Sequence, residues 1–345
     1  MAVLLDVHRA VEANIRAGAR AVVSCNPMSE TQVAASPSTV AREDSWVWFD
    51  GDFRRYRDAK VGLMTHALHY GTGCFEGIRA YWAEDAGRLY TFRQPEHYDR
   101  LRNSAKILHM SLPLSTRQLC DVTDELLRRN GYREDVYIRP LCYKASEEIG
   151  VRLHNLQDGF LIYTSPFGAY VDIEKGIRCM VSSWRRIDDN VAPARAKCTG
   201  IYVNSALAKT EAVENGFDEA IMLTHEGHVS EGSAENLFMV RHGRFVTPPE
   251  SDNILEGITR ATLMQLIAEE MGMDVEQRQI DRSELYVADE MFLCGTGAQV
   301  SPVVEVDRRL IGDGEPGPLT MRLQSMYFDI CKGRNPKYRD WLTAV

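Results

Sequence analysis

Residues 165–175 read SPFGAYVDIEK, a stretch that interrupts the apolar patterns on either side of it. A chain of 345 residues exceeds the roughly 250–300 residues at which a single hydrophobic core usually stops growing, so we expect two domains. The interruption marks the boundary between them. We therefore predict a small domain at residues 46–164, an interdomain linker at 165–174 and a large domain at 175–345.

Upstream of the linker, the patterns predict both strands and helices. Aromatic-rich strands flank Asp50-Gly51, a dipeptide suited to the tight turn of a hairpin. A helix that follows Ser115 has Gln118 at the spacing of a capping box, and Gly131 ends it. The predicted hairpins, helices and strands of this domain lie at 46–56, 77–92, 95–109, 116–130, 135–145 and 158–167.

Downstream of the linker, strands again mix with helices. The strands are predicted near 177–184, 219–223, 236–240, 244–247, 275–280, 289–294 and 302–306, and the helices near 203–215, 258–271 and 317–332. The predicted fold class is therefore α+β, with two unequal domains. A cleft between such domains is a common site for a small ligand.

The composition is that of a folded protein, with 44% hydrophobic and 26% charged residues. No apolar run approaches the roughly 18–20 residues that a membrane-spanning helix needs. Forty basic side chains stand against 49 acidic ones, which gives a net charge of −9. No block of about five or six Lys or Arg residues occurs, so we expect no nucleic-acid partner and no membrane partner. A small-molecule substrate is the expected partner.

The eight cysteines are scattered, without a CxxC pair or the clustering of a zinc site. We expect reduced thiols, a cytoplasmic location and no bound metal. The first 45 residues are predicted to form an N-terminal extension or arm. Residues 1–24 of this arm could be mistaken for a transit peptide, but Asp6 and Glu12 are unusual in one. We expect an ordinary helix there, or a translation start at Met28 instead of Met1.

Lys197 stands out among only eight lysines. It lies in APARAKCTGIYVNSALAKTEA (192–212), between an irregular proline-containing stretch and a helix, and catalytic residues concentrate in such loops. A lysine can form a Schiff base when burial or a nearby cation lowers its pKa. Lys209, in the following helix, is predicted to be an ordinary solvated surface lysine.

Three other segments could bind a charged ligand. Glu231 in HVSEGSAENLFMV is followed by small residues, whereas Glu235 and Asn236 of that segment could be capping or turn residues. LEGIT (255–259) opens a helix with Gly-Ile-Thr, where backbone N–H groups and the helix dipole favour phosphate. CGTGAQVSP (294–302) offers Gly-Thr-Gly after a strand. Neither of the last two matches a nucleotide-binding fingerprint.

These features fit pyridoxal phosphate as a ligand. This cofactor needs a lysine, an acid at its pyridine nitrogen and an anion site for its phosphate. Lys197, Glu231 and the two glycine-containing segments supply a candidate for each need. A buried carboxylate beside the ring nitrogen would keep that nitrogen protonated.

Seven motifs occur in order along the chain, namely ALHYGTGCFEGIRAY, EHYDRLRNSAKI, YIRPL, KCTGIY, EGSAENLF, LEGITR and CGTGAQVSPV. In order and spacing they resemble the fold-type IV aminotransferases, and most closely the branched-chain amino acid aminotransferases. The resemblance extends from about Trp46 to the C-terminus and leaves out the first 45 residues. It implies a two-domain α+β fold of the D-amino-acid-aminotransferase type and pyridoxal 5′-phosphate as cofactor.

The resemblance also implies roles for particular residues. Lys197 resembles the Schiff-base lysine, Tyr202 the tyrosine that bonds the cofactor's 3-oxygen, and Glu231 the acid at the pyridine nitrogen. The implied phosphate site consists of Arg100, Gly257, Ile258, Thr259 and Thr296. The implied substrate residues are Tyr70, Phe75, Arg79, Tyr137, Arg139, Val151, Tyr170, Thr296, Gly297 and Ala298. Of these, Tyr70 and Val151 would come from the partner subunit, since the family's fold implies a homodimer or larger homo-oligomer.

Two features depart from the family's pattern. Cys198 and Thr199 precede Gly200, so that a bulkier, oxidisable side chain follows Lys197 directly. Phe167 stands where a tryptophan often occurs in the family. Both departures bear on fine substrate preference and leave the chemistry intact.

The activity implied is a reversible, ping-pong transamination of L-leucine, L-isoleucine and L-valine with 2-oxoglutarate. Alternatives within the fold are D-amino-acid aminotransferase and aminodeoxychorismate lyase, and a binding protein without activity is the non-enzymatic alternative. The motifs YIRPL and FEGIRAY favour the branched-chain pattern, in which Arg79 and Arg139 are the expected cations for the second carboxylate of glutamate. The intact set of lysine, acid and phosphate residues argues against an inactive protein.

Overall fold

The computed structural model describes residues 43–168 and 175–345. Residues 1–42 of the predicted extension, and Tyr170 within the predicted linker, lie outside these ranges. The described chain mixes helices and strands, which confirms the predicted α+β class. No helix within the described ranges is long and apolar enough to cross a membrane.

An antiparallel sheet forms the first part of the fold. Its strands are β1 (Trp46–Phe49), β2 (Asp52–Arg55), β3 (Gly73–Phe75), β4 (Ile78–Ala83), β5 (Arg88–Phe92), β6 (Val136–Lys144), β7 (Asp158–Pro166) and, from the C-terminus, β17 (Leu342–Ala344). The strand order is β17-β5-β4-β6-β7-β1-β2, and β3 pairs with β6. The C-terminal strand therefore joins this sheet, although its residues lie in the range predicted for the large domain.

Both predicted hairpins form in this sheet. In the first, Asp50 and Gly51 have φ angles of 47° and 93°, which suits a tight turn between β1 and β2. In the second, β4 directs Ile78 and Ala80 into the core of the first sheet. Tyr81 packs on the other side, in a cluster with residues from the second half of the chain. Both faces of β4 are therefore buried.

The helices that accompany the first sheet are α1 (His66–Tyr70), α2 (Gln94–Ile107) and α3 (Thr116–Asn130). The predicted capping box of Ser115 and Gln118 forms at the start of α3, and Gly131 ends that helix at a φ of 63°. The helix predicted over 95–109 ends at Ile107 instead, because the chain turns at His109, whose φ is 51°. The apolar faces of α2 and α3 cover the sheet.

A second, mixed sheet is formed by residues after the linker. Its strands are β8 (Ile177–Val181), β9 (Glu219–Leu223), β10 (Val229–Gly232), β11 (Asn236–Arg241), β12 (Arg244–Thr247), β13 (Val275–Gln277), β14 (Glu290–Gly295), β15 (Gln299–Val306) and β16 (Arg309–Leu310). The order is β10-β9-β8-β15-β14-β11-β12-β13, and β16 pairs with β15. The helices among residues 175–345 are α4 (Tyr202–Glu214), α5 (Ile258–Met271), α6 (Arg282–Leu285) and α7 (Pro318–Cys331). Short 3₁₀ helices occur at Tyr56–Asp58, Glu250–Asp252 and Pro336–Trp341.

Several short elements escape prediction from the sequence. No element is predicted from the sequence for β10, β16, β17 or α6, which span four, two, three and four residues. β10 matters most, because it contains Glu231. The sequence analysis predicts no strand at Glu231, whereas the structure places this residue in a strand that pairs with β9.

The two sheets meet where β3 contacts the loop that carries Lys197. Phe75 N donates a hydrogen bond of 3.0 Å to the Lys197 carbonyl, and Gly200 N donates one of 3.2 Å to the Gly71 carbonyl. A Cβ atom placed on Gly71 would lie 2.7 Å from the Cα atom of Gly200. This contact therefore has room only for glycine.

Gly71→Ala and Gly131→Ala form a matched pair that tests this close approach. Both glycines end a helix in the left-handed region, at φ angles of 62° and 63°, but a Cβ on Gly131 meets nothing within 4 Å. We expect Gly131→Ala to lower the free energy of unfolding by about 1–2 kcal/mol, the penalty for a left-handed residue. Gly71→Ala should cost about a further 1–3 kcal/mol, because it overpacks the contact. Urea unfolding measures both, and equal losses would contradict the predicted crowding.

Candidate active site

Lys197 lies in the loop before α4, and β3 fixes its backbone. Its Nζ atom donates a hydrogen bond of 2.8 Å to the hydroxyl of Tyr202, the first residue of α4. The same Nζ lies 5.3 Å from the centre of the Phe75 ring, and the Phe75 and Tyr202 rings are 4.9 Å apart. The structure thus brings together three residues that the sequence analysis named.

Glu231 lies in β10 with only 4% of its surface exposed. Its Oε1 atom is 2.8 Å from Nη2 of Arg186, with which it forms an ion pair. Its Oε2 atom accepts hydrogen bonds from Asn236 Nδ2 at 2.9 Å and from the backbone N–H of Leu255 at 3.2 Å. Burial raises the pKa of Glu231, and the charge of Arg186 opposes that rise. The carboxylate is therefore buried but supplied with donors.

Arg100 extends from α2 to a buried carboxylate. Its Nε and Nη2 atoms bond to the two oxygens of Glu76 at 2.6 and 2.8 Å, and His97 Nδ1 lies 2.8 Å from the second oxygen. Burial would raise the pKa of Glu76, but the Arg100 charge and the His97 hydrogen bond hold it well below its usual range. Arg100 Nη1 donates to the Glu256 carbonyl at 2.7 Å. Of the roughly five N–H donors of a guanidinium, two remain for a ligand.

The backbone that Arg100 contacts leads directly into α5. Gly257 precedes this helix and no side chain caps it, so the N–H groups of its first turn, including those of Ile258 and Thr259, have no partner inside the helix. A Cβ atom on Gly257 would overlap the side-chain oxygen of Asn236. The first turn of α5 and the remaining donors of Arg100 together form a cradle for an anion.

Thr296, Gly297 and Ala298 connect β14 to β15. Thr296 is half-buried and Ala298 is buried. The Gly297 carbonyl accepts a hydrogen bond of 3.3 Å from Arg79, and the Ala298 carbonyl accepts one of 2.7 Å from the Ser301 hydroxyl. This loop is therefore held from both sheets.

Tyr137 and Arg139 lie on one face of β6. The Tyr137 hydroxyl accepts hydrogen bonds from Nε and Nη2 of Arg139 at 3.1 and 2.7 Å. The guanidinium carbon of Arg139 is 4.2 Å from the centre of the Phe75 ring, which itself lies beside Lys197. Burial raises the pKa of Tyr137, and the Arg139 charge opposes the rise. Within the described ranges, no carbonyl or carboxylate accepts a hydrogen bond from Arg139, so its charge is available beside Phe75.

Arg79, which the sequence analysis expects to face a substrate carboxylate, lies among backbone carbonyl groups in the structure. It is only 2% exposed, and its Nη2 atom donates to the carbonyls of Phe167 and Gly168 at 2.8 and 2.7 Å. Its Nη1 atom donates to the Gly297 carbonyl. Its Nε atom is buried, with no hydrogen-bond partner in the described part of the chain. Backbone carbonyls from two segments therefore engage this guanidinium.

Two of the residues named from the sequence, Tyr70 and Val151, lie in neighbouring segments of the first half of the chain. Val151 is 88% exposed, and Tyr70 is half-buried at the end of α1, with its ring 4.5 Å from that of His66. His66 Nε2 lies 2.8 Å from the Gly150 carbonyl and so ties the two segments together. Val151 therefore faces solvent in the single chain. Tyr170 belongs to the range that the structure does not describe.

Lys209 is not the solvated lysine that the sequence predicts. Its Nζ atom donates to the Asp218 carbonyl at 2.5 Å and to a carboxylate oxygen of Glu219 at 2.6 Å. Glu219 is buried, so this ion pair helps to compensate a buried charge. Burial and the charge of Glu219 raise the pKa of Glu235 to about 8. Glu235 therefore lies in a buried acidic pair, and it also belongs to the turn between β10 and β11, as the sequence suggested.

Four residues that support this site were not recognised from the sequence. Glu76 and His97 lie inside the motifs FEGIRAY and EHYDRL, so the motifs could have pointed to them. Asn236 was considered only as a capping or turn residue. Arg186 follows β8 in the segment SSWRR, where no pattern relates it to Glu231.

The donor set fits the cofactor that the sequence suggests. Lys197 supplies a primary amine, and Glu231 supplies a buried carboxylate whose Oε1 atom has a second lone-pair position. Arg100 and the first turn of α5 supply a phosphate cradle. Arg100 donates to the Glu256 carbonyl, and Glu231 accepts from the N–H of the neighbouring Leu255, so these two groups lie close together. Burial raises the pKa of Glu231 and the charge of Lys197 lowers it, which agrees with a place for Lys197 in the same site. Such a set matches the requirements of pyridoxal phosphate.

Comparison with known proteins agrees with this geometry. Residues 73–306 match the family model described as amino-transferase class IV. A relative from Aquifex aeolicus is 49% identical over 300 residues, which cover 87% of this chain and 96% of that protein. A branched-chain-amino-acid aminotransferase from Pseudomonas aeruginosa is 41% identical over 310 residues, which cover 89% of this chain and 99% of that protein.

A solved structure shares the fold. It is a branched-chain amino acid aminotransferase from T.th., complexed with N-(5′-phosphopyridoxyl)-L-glutamate, which matches with a TM-score of 0.83 at 44% identity, covering 87% of this chain and 98% of that chain. The fold-type IV architecture implied by the sequence motifs is thereby confirmed. The chain belongs to the class IV aminotransferases and, within them, to the branched-chain amino acid aminotransferases.

Proposed function

We propose that this chain catalyses the reversible transfer of the amino group of L-leucine, L-isoleucine or L-valine to 2-oxoglutarate with pyridoxal 5′-phosphate as cofactor. The observation that carries the proposal is the meeting of an amine, an apolar ring and a cation in one site, from Lys197, Phe75 and Arg139. The names of the relatives, and the phosphopyridoxyl-glutamate bound by a structural relative, support it.

Residues of this chain would hold each part of the cofactor. Lys197 would bind it covalently, Tyr202 would bond its 3-oxygen, and Glu231 would face its pyridine nitrogen. Its phosphate would bind to Arg100, the backbone of Gly257, Ile258 and Thr259, and Thr296. When bound, the cofactor would supply a carrier for the amino group between the two substrates, and the two half-reactions would then follow a ping-pong order.

Lys197 is also the base of the proposed reaction. Once the amino group of the substrate had displaced Lys197 from the cofactor, the freed Nζ atom would take the proton from the α-carbon of the amino acid, since general bases act over hydrogen-bond distances. Tyr202 holds this amine through the 2.8 Å hydrogen bond. The Phe75 and Tyr202 rings lie about the amine and exclude water from that side.

The substrate pocket must accept leucine and glutamate in turn. Phe75 offers an apolar surface to a branched side chain. A glutamate carboxylate against the same surface would be desolvated at a cost of several kcal/mol unless a cation pairs with it. Arg139 is that cation in our proposal, and the Tyr137 hydroxyl lies beside it. Arg79 acts indirectly, because it holds the carbonyl groups of neighbouring loops.

We also propose that the enzyme is a homodimer or a larger homo-oligomer. An exposed apolar surface, here called the paired-loop surface, consists of Val61, Leu63, Met64, Leu68, Ile149 and Val151. A backbone bridge between Thr65 and Glu147 joins its two loops. Contiguous apolar surfaces of this kind mark interaction sites. A second copy of the chain would cover it and would contribute the partner subunit's Tyr70 and the partner subunit's Val151 to the substrate pocket.

Lys197→Ala should abolish covalent attachment of the cofactor, because it removes the amine. Turnover should fall by at least about 100- to 10,000-fold, the range of general acid–base catalysis. Mass spectrometry after borohydride reduction measures attachment. Lys106→Ala, at an exposed lysine of α2, is the control and should retain both properties. Retention of a covalent adduct in Lys197→Ala would show that another lysine binds the cofactor.

Arg139→Met should raise KM for glutamate and 2-oxoglutarate by about tenfold or more, because a charge-assisted hydrogen bond contributes about 1.5–3 kcal/mol. KM for leucine should change little. Arg79→Met should affect both substrates to a similar degree, since Arg79 holds backbone carbonyls. Steady-state kinetics with each substrate separates the two cases. Equal losses for leucine and glutamate in Arg139→Met would contradict the proposed pocket.

Val151→Asp should shift the protein from dimer to monomer at micromolar concentration, because it places a charge in the centre of an apolar interface. Analytical ultracentrifugation measures the mass. Val287→Asp is the matched control, since Val287 is also exposed but lies outside the paired-loop surface. An unchanged mass in Val151→Asp would show that the subunits associate through a different surface.

A further inference from the structure

Arg186 is a buried cation that no motif in the sequence indicates. It follows β8 and is only 8% exposed. Its backbone N–H donates to the Leu223 carbonyl at 2.8 Å, and its Nε atom donates to the Asn253 carbonyl at 3.2 Å. Its Nη2 atom lies 2.8 Å from Oε1 of Glu231. Both ends of this side chain are therefore fixed before any ligand binds.

Glu231 depends on this contact for a compensating charge. Its other oxygen accepts hydrogen bonds from two neutral groups, the Asn236 amide and the Leu255 N–H. The charged and titratable groups that act on this carboxylate are Arg186, Lys197, Arg100, Arg260, Glu235 and Cys294. Among the cations, Arg186 is the one in direct contact, and Glu235 opposes it with a like charge.

We propose that Arg186 is a positioning residue that keeps Glu231 ionised and aims its Oε1 atom at the pyridine nitrogen of the cofactor. The inference rests on the role proposed above for Glu231. Arg186 itself contacts neither substrate nor cofactor in this account. It acts through the carboxylate, in the way that residues behind a catalytic group commonly orient it.

The physical argument concerns the proton on the carboxylate. A buried carboxylic acid without a cation nearby takes up a proton, because burial disfavours its charged form. A neutral Glu231 would lose the negative charge that holds the proton on the ring nitrogen. Removal of Arg186 should therefore raise the pKa of Glu231 and weaken the enzyme mostly on the acidic side of its pH profile.

The first test compares pH profiles of the full-length enzyme with its cofactor. In Arg186→Met, the acidic limb of kcat/KM for leucine should move to higher pH by about one to two units, the range expected for loss of a nearby charge. Arg186→Lys keeps a charge and should restore most of the profile. Arg185→Met is the control, because Arg185 is exposed and donates only a long hydrogen bond of 3.4 Å to the Thr224 carbonyl. An unchanged acidic limb in Arg186→Met would overturn the inference.

A double-mutant cycle with Glu231→Gln separates positioning from general damage. Glu231→Gln alone should lower turnover strongly, and adding Arg186→Met should then change it by less than about twofold, because coupled residues are not additive. A full additional loss would show that Arg186 supports only the fold. Unimpaired turnover in Glu231→Gln would instead contradict the role proposed for Glu231.

A measurement on the cofactor-free protein decides the charge argument independently of turnover. With Arg186 removed, folded Glu231 holds a proton that the unfolded chain releases above the ordinary glutamate pKa of about 4.3, so stability falls as pH rises from there to the raised folded-state pKa. The decrease in Tm of Arg186→Met relative to wild type should therefore grow between about pH 5 and pH 8. It should stay constant over this range when Glu231→Gln is also present. A pH-independent decrease in the single variant would overturn the inference.

Discussion

The backbone contact between β3 and the lysine loop is the constraint on which the site depends. The backbone of Cys74 in β3 pairs with that of Cys198 in an isolated β-bridge, so β3 lies between the lysine loop and β6. Through β6 the same contact also sets the position of Arg139 relative to Phe75. The residues proposed to recognise a substrate side chain and the lysine proposed to react with it thus come from different parts of the fold, and one set of main-chain hydrogen bonds joins them. A shift of β3 would therefore change the relative positions of Lys197, Phe75 and Arg139 at the same time.

Two buried ion pairs complete the site. In one of them a carboxylate fixes an arginine, and in the other an arginine fixes a carboxylate. At the proposed phosphate end, the carboxylate of Glu76 holds Arg100, so that the arginine is fixed and offers its remaining donors. At the proposed ring end, Arg186 holds Glu231, so that the carboxylate is fixed and offers its remaining lone pair. Breaking a buried pair leaves an uncompensated charge, which destabilises the protein strongly. Arg100 and Glu231 therefore each have a charged partner within the protein itself.

The sequence predicts the parts of this fold whose patterns are local. The Asp50-Gly51 turn, the capping box at Ser115 and the helix over 258–271 form as predicted, because each depends on neighbouring residues. The ordered motifs also indicate Lys197 and Glu231. β10 could not be predicted, because its residues, Val-Ser-Glu-Gly, include small and polar types that are typical of turns. β17 could not be predicted, because it pairs with β5, which is far away in the chain.

The two arginines of the predicted pocket show what a motif cannot express. Arg79 in β4 lies opposite Tyr137 in β6, and Tyr137 shares one face of β6 with Arg139. Their positions on the strands therefore make Arg79 and Arg139 look equivalent. The two arginines differ in the hydrogen-bond acceptors that the protein places around them. Arg79 donates hydrogen bonds to the carbonyls of Phe167, Gly168 and Gly297, whereas Arg139 donates to a single hydroxyl, that of Tyr137. Since a guanidinium can serve a ligand only with donors that the protein leaves unused, Arg139 is better placed than Arg79 for the proposed recognition of a substrate carboxylate.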